Sequence, residues 1–207
     1  MKFHNDTNRE EQLVRLASTV KTLRSRELDR HGIARSYLRQ LVARGVLVQT
    51  GRGLYTLADS EVSEYQTLIE ASLRLPHGVI CLASALRFHG ITTQNPWKVW
   101  MLIKTGSRMP KVDYPALLVF QATGPSFTEG VETHHLDGAP VRITSVAKTI
   151  ADCFKYRNKI GLDVALEALR ECLREQRATR EELHCFARVC RVDRIMQPYM
   201  QAFAVSL

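Results

Sequence analysis

No run of about 18 uncharged apolar residues occurs in the 207-residue chain, so no segment has the length and character of a membrane-crossing helix. The opening stretch, MKFHNDTNREEQ, is polar and has none of the apolar core that a secretory signal requires. From these two absences we expect a cytoplasmic protein with no membrane partner. Acidic residues are in deficit: 21 Asp and Glu face 29 Lys and Arg, leaving a formal charge of +8 that suits phosphate-bearing partners. Cysteine is sparse and odd in number. Cys81, Cys153, Cys172, Cys185 and Cys190 follow no tight spacing, which fits reduced core thiols better than a disulfide framework. Walker loops, GxGxxG following a strand, HExxH, internal repeats and low-complexity tracts are all missing, and with them the commonest signatures of nucleotide, dinucleotide and zinc-protease chemistry.

What is present is concentrated between Ser25 and Leu57. A short helix over about Arg24 to Arg30, capped by Ser25 or carried on from Thr22, with Leu28 inward, is followed by His31-Gly32, where glycine can reverse the chain at positive φ. From Ala34 to Arg44, Leu38, Leu41 and Val42 recur at three- and four-residue spacing, so one helix face is apolar. Arg35, Ser36, Arg39, Gln40 and Ala43 fall on the other, and Tyr37 sits at the border. Gly45 is placed to end the helix. Val46-Leu47-Val48 and Leu54-Tyr55-Thr56-Leu57 are strand-like, and the Thr50-Gly51-Arg52-Gly53 link permits a tight turn.

Helix, turn, basic helix and basic hairpin in that order predict a winged helix-turn-helix. Arg and Gln near the start of a groove-bound helix give bidentate contacts to guanine and adenine. The candidate DNA-binding residues are therefore Arg35, Ser36, Tyr37, Arg39, Gln40 and Arg44 on the second helix, Arg52 at the hairpin tip and Arg24 before the first helix. The charge is distributed to match. Residues 1–60 hold 11 Lys and Arg against 6 Asp and Glu, net +5, which leaves 18 against 15, net +3, for residues 61–207.

The expected architecture is α+β: a winged helix-turn-helix domain over residues 1–60, then a small, mostly antiparallel sheet packed with C-terminal helices over residues 61–207. A helix from Glu10 to Lys21, with Leu13, Leu16, Ala17 and Val20 on one face, backs the first domain. Glu61 to Leu75 reads as a linking helix, and Ser84 to Leu86 as a short one closed by His89-Gly90. Strands are expected at Trp97 to Ile103, Ala116 to Gln121, Val131 to Leu136 and Pro140 to Thr144, the last two joined by an Asp137-Gly138 hairpin turn. Four helices follow: one capped by Ser145, one capped by Asp163, one opened by the Thr179-to-Glu182 capping box, and one from Ile195 to Phe203 that Pro198 should kink or restart.

Other constellations carry less. His134, His135, Cys172, His184, Cys185 and Cys190 are metal-ligand types without a second close pair, so core thiols and strand histidines are the simpler reading and no metal or cofactor is expected. Ser145-x-x-Lys148, with Thr149 and Asp152, has a nucleophile's spacing but lacks the partner motifs. Ser145 as a cap and Lys148–Asp152 as an i, i+4 pair account for it, and we expect no enzyme.

Three segments resemble the AbiEi family, the antitoxin half of bacterial AbiE-type (type IV, abortive-infection) toxin–antitoxin pairs. They are GIARSYLRQLVARGVL with GRGLYTL, LASALRFHGI at residues 82–91, and VRITSVAKTIADCF at residues 141–154. The resemblance implies a transcriptional autorepressor that binds inverted repeats in its own promoter as monomer or dimer. It also implies a C-terminal domain that counters an AbiEii-like nucleotidyltransferase toxin without forming a stable complex. Ala34, Tyr37 and Gln40 stand where relatives often have proline and further arginines, so no operator sequence transfers. A winged-helix regulator or interaction module whose C-terminal domain binds a partner protein or ligand is the alternative.

Overall fold

The computed structural model describes residues 3–51, 53–60, 63–109, 112 and 114–205. The chain is α+β and divides into two units. One runs to Arg74 and includes His135–Pro140; the other holds Leu75–His134 and the chain from Val141 onward. The helix expected to link domains therefore groups with the N-terminal residues, and the expected division after residue 60 falls ahead of it.

In the first unit, α1 (Phe3–Val20) begins well before Glu10, carrying its polar first turns ahead of the buried Leu13 and Ala17. β1 (Leu23–Arg24) pairs antiparallel with β3 (Leu54–Leu57), which pairs with β2 (Leu47–Gly51), giving the order β1-β3-β2. Between β1 and β2 lie η1, a 3-10 helix over Ser25–His31, and α2 (Ser36–Ala43). The expected first helix of the pair is thus 3-10 rather than α, and its N-cap is Arg24 rather than Ser25. The Ser25 amide is already engaged by the Gly53 carbonyl at 2.9 Å. Gly32 ends η1 in the left-handed region at φ 63°, and its N–H donates back into the turn.

α2 starts at Ser36, with Arg35 as its N-cap, and ends as the glycine pattern requires. The Gly45 and Val46 amides donate to the Val42 and Leu41 carbonyls at 3.0 and 2.9 Å, with Gly45 at φ 71°. Leu13, Leu23, Leu28, Ile33, Leu38, Leu41 and Leu47 form one buried core. Each such side chain stabilises the unit by about 1.5–3 kcal/mol on burial. α3 (Gln66–Arg74) completes this unit.

In the second unit β4 (Val79–Ile80) leads into α4 (Leu82–Phe88). β5 (Val99–Lys104), β6 (Leu117–Ala122), a one-turn α5 (Pro125–Thr128), β7 (Val131–Leu136) and β8 (Ala139–Thr144) follow. Trp97, expected to open β5, lies outside it and is 82% exposed. The strand order is β6-β5-β4-β8-β7. The sheet is mixed, not mostly antiparallel: β5–β6 and β4–β8 are parallel and β4–β5 antiparallel. Local patterning reveals strands but not their partners, and here a helix-containing crossover carries the chain from β4 to its parallel neighbour β8. Asp137 and Gly138 both have positive φ, 46° and 78°, as a type I′ hairpin turn demands.

The remaining helices are α6 (Val146–Lys155), α7 (Arg157–Ile160), α8 (Leu162–Arg174), α9 (Arg180–Val189) and α10 (Asp193–Val205). Ser145 caps α6, accepting from the Lys148 amide at 3.4 Å, and Thr179 and Glu182 close a reciprocal capping box on α9. Asp163 is not a cap: it lies in the first turn of α8, whose N-cap is Gly161. α10 is a single helix through Pro198.

α6 is the centre of this unit, packed by α4, α8 and α9, with every residue from Ala147 to Phe154 buried. Two of those residues are charged. Lys148 Nζ donates to Asp152 Oδ2 at 2.5 Å, and Cys190 Sγ donates to the other oxygen at 3.3 Å. The i, i+4 pair read from sequence exists, but in the core rather than in water. Breaking it from one side strands a buried charge, which typically costs about 3–5 kcal/mol, whereas replacing both partners with apolar residues is often neutral. Asp152→Ala should therefore lower the urea midpoint of the full chain sharply, and Lys148→Met/Asp152→Leu should recover most of the loss. Equal destabilisation by the two variants would contradict this account.

Candidate nucleic-acid interface

α2 buries Leu38 and Leu41 and half-buries Val42, so its opposite face is free by the geometry of 3.6 residues per turn. Ser36, Arg39, Gln40 and Ala43 are exposed there, with Arg35 at the helix start and Tyr37 half-buried at the border. Arg39 and Gln40 project from adjacent positions of the same turn. Together they offer a fork of guanidinium donors and an amide carrying both donor and acceptor.

Three of the predicted residues have a different environment from the one expected. Arg35 Nη2 is 2.5 Å from Asp29 Oδ2, and its Nε donates to Oδ1 at 3.3 Å, a bidentate pair in which both side chains are more than half exposed. That hydrogen bond, with the carboxylate's charge, holds the guanidinium above the ordinary arginine value. Arg44, at the far end of α2, is paired with Glu10 of α1 at 2.5 Å, which ties the two helices together. Arg24 is half-buried at the end of β1, and its backbone N–H donates to Glu27 Oε2 at 3.2 Å. Arg52 lies outside the described residues.

Sequence reasoning missed Arg74. It ends α3, far along the chain from the hairpin, yet its guanidinium lies against Gly51 of β2. No local spacing announces such a contact. The only sequence clue is Gly51 itself, whose φ is not in the left-handed region, so the turn does not require glycine there; Gly53, at φ 73°, is the residue the turn needs.

The other sequence constellations are dispersed into the fold. Cys81, Cys153, Cys172 and Cys190 are buried free thiols, and Cys185 is an exposed one. Burial pushes Cys172 up to about 11 and Cys190 up to about 12, away from thiolate chemistry. Among the described residues no group of three or more His, Cys, Asp or Glu is placed to hold a metal ion. His89 is spent on structure: its Nε2 is 2.7 Å from the Thr144 carbonyl, joining α4 to the end of β8. No described helix is long and apolar enough to cross a membrane.

Residues 11–58 match the family model described as transcriptional regulator, AbiEi antitoxin. The N-terminal segment is AbiEi-like. The match begins in α1, spans η1, α2 and the hairpin, and ends just after β3. The AbiEi resemblance read from the sequence is borne out over those residues. The fold resembles the crystal structure of the RV2827C protein from Mycobacterium tuberculosis, with a TM-score of 0.60 and 14% identity, over 86% of this chain and 69% of that one. No curated protein matches the chain.

The Arg35–Asp29 pair makes a testable demand on this AbiEi-like surface. An exposed ion pair is a weak competitor, so any anion that engages Arg35 must displace only a modest interaction. Asp29→Asn should raise affinity for duplex DNA about two- to fivefold in a fluorescence-anisotropy titration. A drop in affinity would show that Asp29 positions Arg35 rather than competing for it.

Proposed function

We propose that this chain is a DNA-binding transcriptional autorepressor and the antitoxin of a bacterial type IV toxin–antitoxin pair, countering a nucleotidyltransferase toxin. In this reading η1 and α2 form a helix-turn-helix, α2 is the recognition helix and the β2–β3 hairpin is the wing. The observation that carries it is the coincidence of the AbiEi antitoxin match with the segment that presents an exposed basic helix beside a glycine-bounded hairpin.

Arg39 and Gln40 take the base-reading role, since bidentate contacts to guanine and adenine discriminate by about 1–3 kcal/mol per pair. Ser36 and Tyr37 contact backbone or sugar at the helix start. Arg35 joins them by exchanging Asp29 for DNA, while Arg44, held by Glu10, serves first to fix α2 on α1 and only then to meet a phosphate. Arg24 and Arg52 take phosphate-backbone roles. The second unit holds the antitoxic activity, acting on the toxin without a stable complex, and the protein works on inverted repeats as monomer or dimer in the cytoplasm.

Binding to DNA from upstream of its own gene tests the first half. If about five phosphates are neutralised per monomer, log K should fall with log salt at a slope of roughly −4 to −5. Arg39→Ala/Gln40→Ala should erase the preference for that DNA over a scrambled duplex while leaving non-specific binding; an unchanged preference would remove α2 from the recognition role. Co-expression with the product of the adjacent open reading frame tests the second half. Growth should be rescued from a nucleotidyltransferase toxin encoded there, and failure of rescue by a soluble, DNA-binding chain would overturn the antitoxin assignment.

A further inference from the structure

Three arginines meet beside the turn of the β2–β3 hairpin, close enough that Arg26 and Arg74 both act electrostatically on Arg24. Arg24 closes β1 opposite Leu54 of β3, Arg26 follows it in η1, and Arg74 arrives from the end of α3. Arg74 comes so close that a Cβ on Gly51 would collide with its Nη2 and stand only 3.4 Å from Cζ. The missing side chain at Gly51 is thus the cradle in which the guanidinium lies. On the neighbouring strand end, Ser25 Oγ would be 3.0 Å from a Cβ on Gly53, so the same patch is bounded by a hydroxyl.

The cluster is short of negative charge. Arg74 Nε is buried and finds no hydrogen-bond partner among the described residues. An unmade bond on a buried charged donor is among the costlier defects a fold carries. Two carboxylates lie nearby in sequence: Glu27 accepts from the Arg24 amide at 3.2 Å, and Glu70, one turn before Arg74, accepts from Gln66 Nε2 at 2.7 Å through one oxygen while the other is buried without a hydrogen-bond partner among the described residues, so neither oxygen bonds Arg74 Nε. Burial first, and then Arg26 and Arg74, hold Arg24 below the ordinary arginine value, while Glu27 pulls the other way. Like charges gathered around an unmet donor are stabilised by an anion that can accept from several of them at once.

We propose that Arg24, Arg26 and Arg74, with Gly51 as cradle, form a binding site for one phosphate of a nucleic-acid backbone. The inference rests on reading the hairpin as a wing, because that reading brings the sugar-phosphate backbone to this edge of the sheet. A half-buried guanidinium held against the backbone of β2 contacts charge rather than base edges, so the site adds affinity and register and no sequence preference.

The experiment uses the full-length protein, a labelled duplex from upstream of its gene and a scrambled duplex of equal length, titrated at several salt concentrations. Arg74→Ala should weaken binding to both duplexes by about tenfold at 0.15 M salt and reduce the magnitude of the salt slope by about one. Gly51→Ala keeps every charge yet evicts the guanidinium, and should reproduce most of that loss; it also serves if Arg74→Ala fails to fold. Arg74→Lys should recover the slope but only part of the affinity. Wild-type affinity and slope in both Arg74→Ala and Gly51→Ala would overturn the site while leaving the DNA-binding reading intact. Absence of binding to either duplex by the wild-type protein would overturn the reading, and the phosphate site with it.

Discussion

A helix enclosed on every side cannot send its polar side chains to water, and α6 is such a helix. Its eight central residues are buried, so Lys148 and Asp152 must neutralise each other within one turn and Thr149 must find acceptors in the backbone and in Thr144. The cysteine thiol of residue 190 supplies the remaining donor to Asp152 from the end of α9. This polar group of residues sets how α9 registers against α6, because a shift of either helix by one position would leave a carboxylate unmet in the core. The rest of the second unit is arranged around that requirement, with apolar faces of α4 and α8 closing over α6 and β8 feeding it through the Ser145 cap.

The first unit obeys the opposite constraint. Its core is a handful of leucines and Ile33, enough to hold α2 by one face and too small to enclose it. One face of α2 is consequently left to solvent, and it is the polar one. Where arginines on or beside that face have carboxylate partners, the partners differ in what they do. Glu10 anchors Arg44 to another helix of the core, whereas Asp29 holds Arg35 at a solvent-exposed site, where an ion pair contributes little. Equal residue types on one short helix thus divide into a structural member and an available one.

Legibility followed the range of the interaction. Capping is local, and the Ser145 cap and the Thr179–Glu182 box stand where the residues placed them. The Asp137-Gly138 turn is equally local, since two successive positive φ values favour few other pairs. The face of α2 was readable because Leu38 and Leu41 repeat at helical spacing. Less was readable where a residue's neighbour is distant in sequence. The helical pattern before His31 does not reveal that Ser25 is claimed by Gly53, which leaves only a 3-10 turn. Val- and Ile-rich segments do not say whether their partners run parallel. Asp163 looks like a cap until Gly161 takes that position.

By itself the sequence determined the α+β composition, the basic excess of the N-terminal residues, the apolar stripe of α2 and the glycine-bounded hairpin, because each depends on residues a few positions apart. Only the tertiary structure decided that the Lys148–Asp152 pair is buried, that Arg35 and Arg44 already have partners, and that Arg74 belongs beside Gly51. Those outcomes depend on which surfaces exclude water and which distant charges meet. Burial and electrostatic contact across the fold are properties of the packed chain, and no window of sequence contains them.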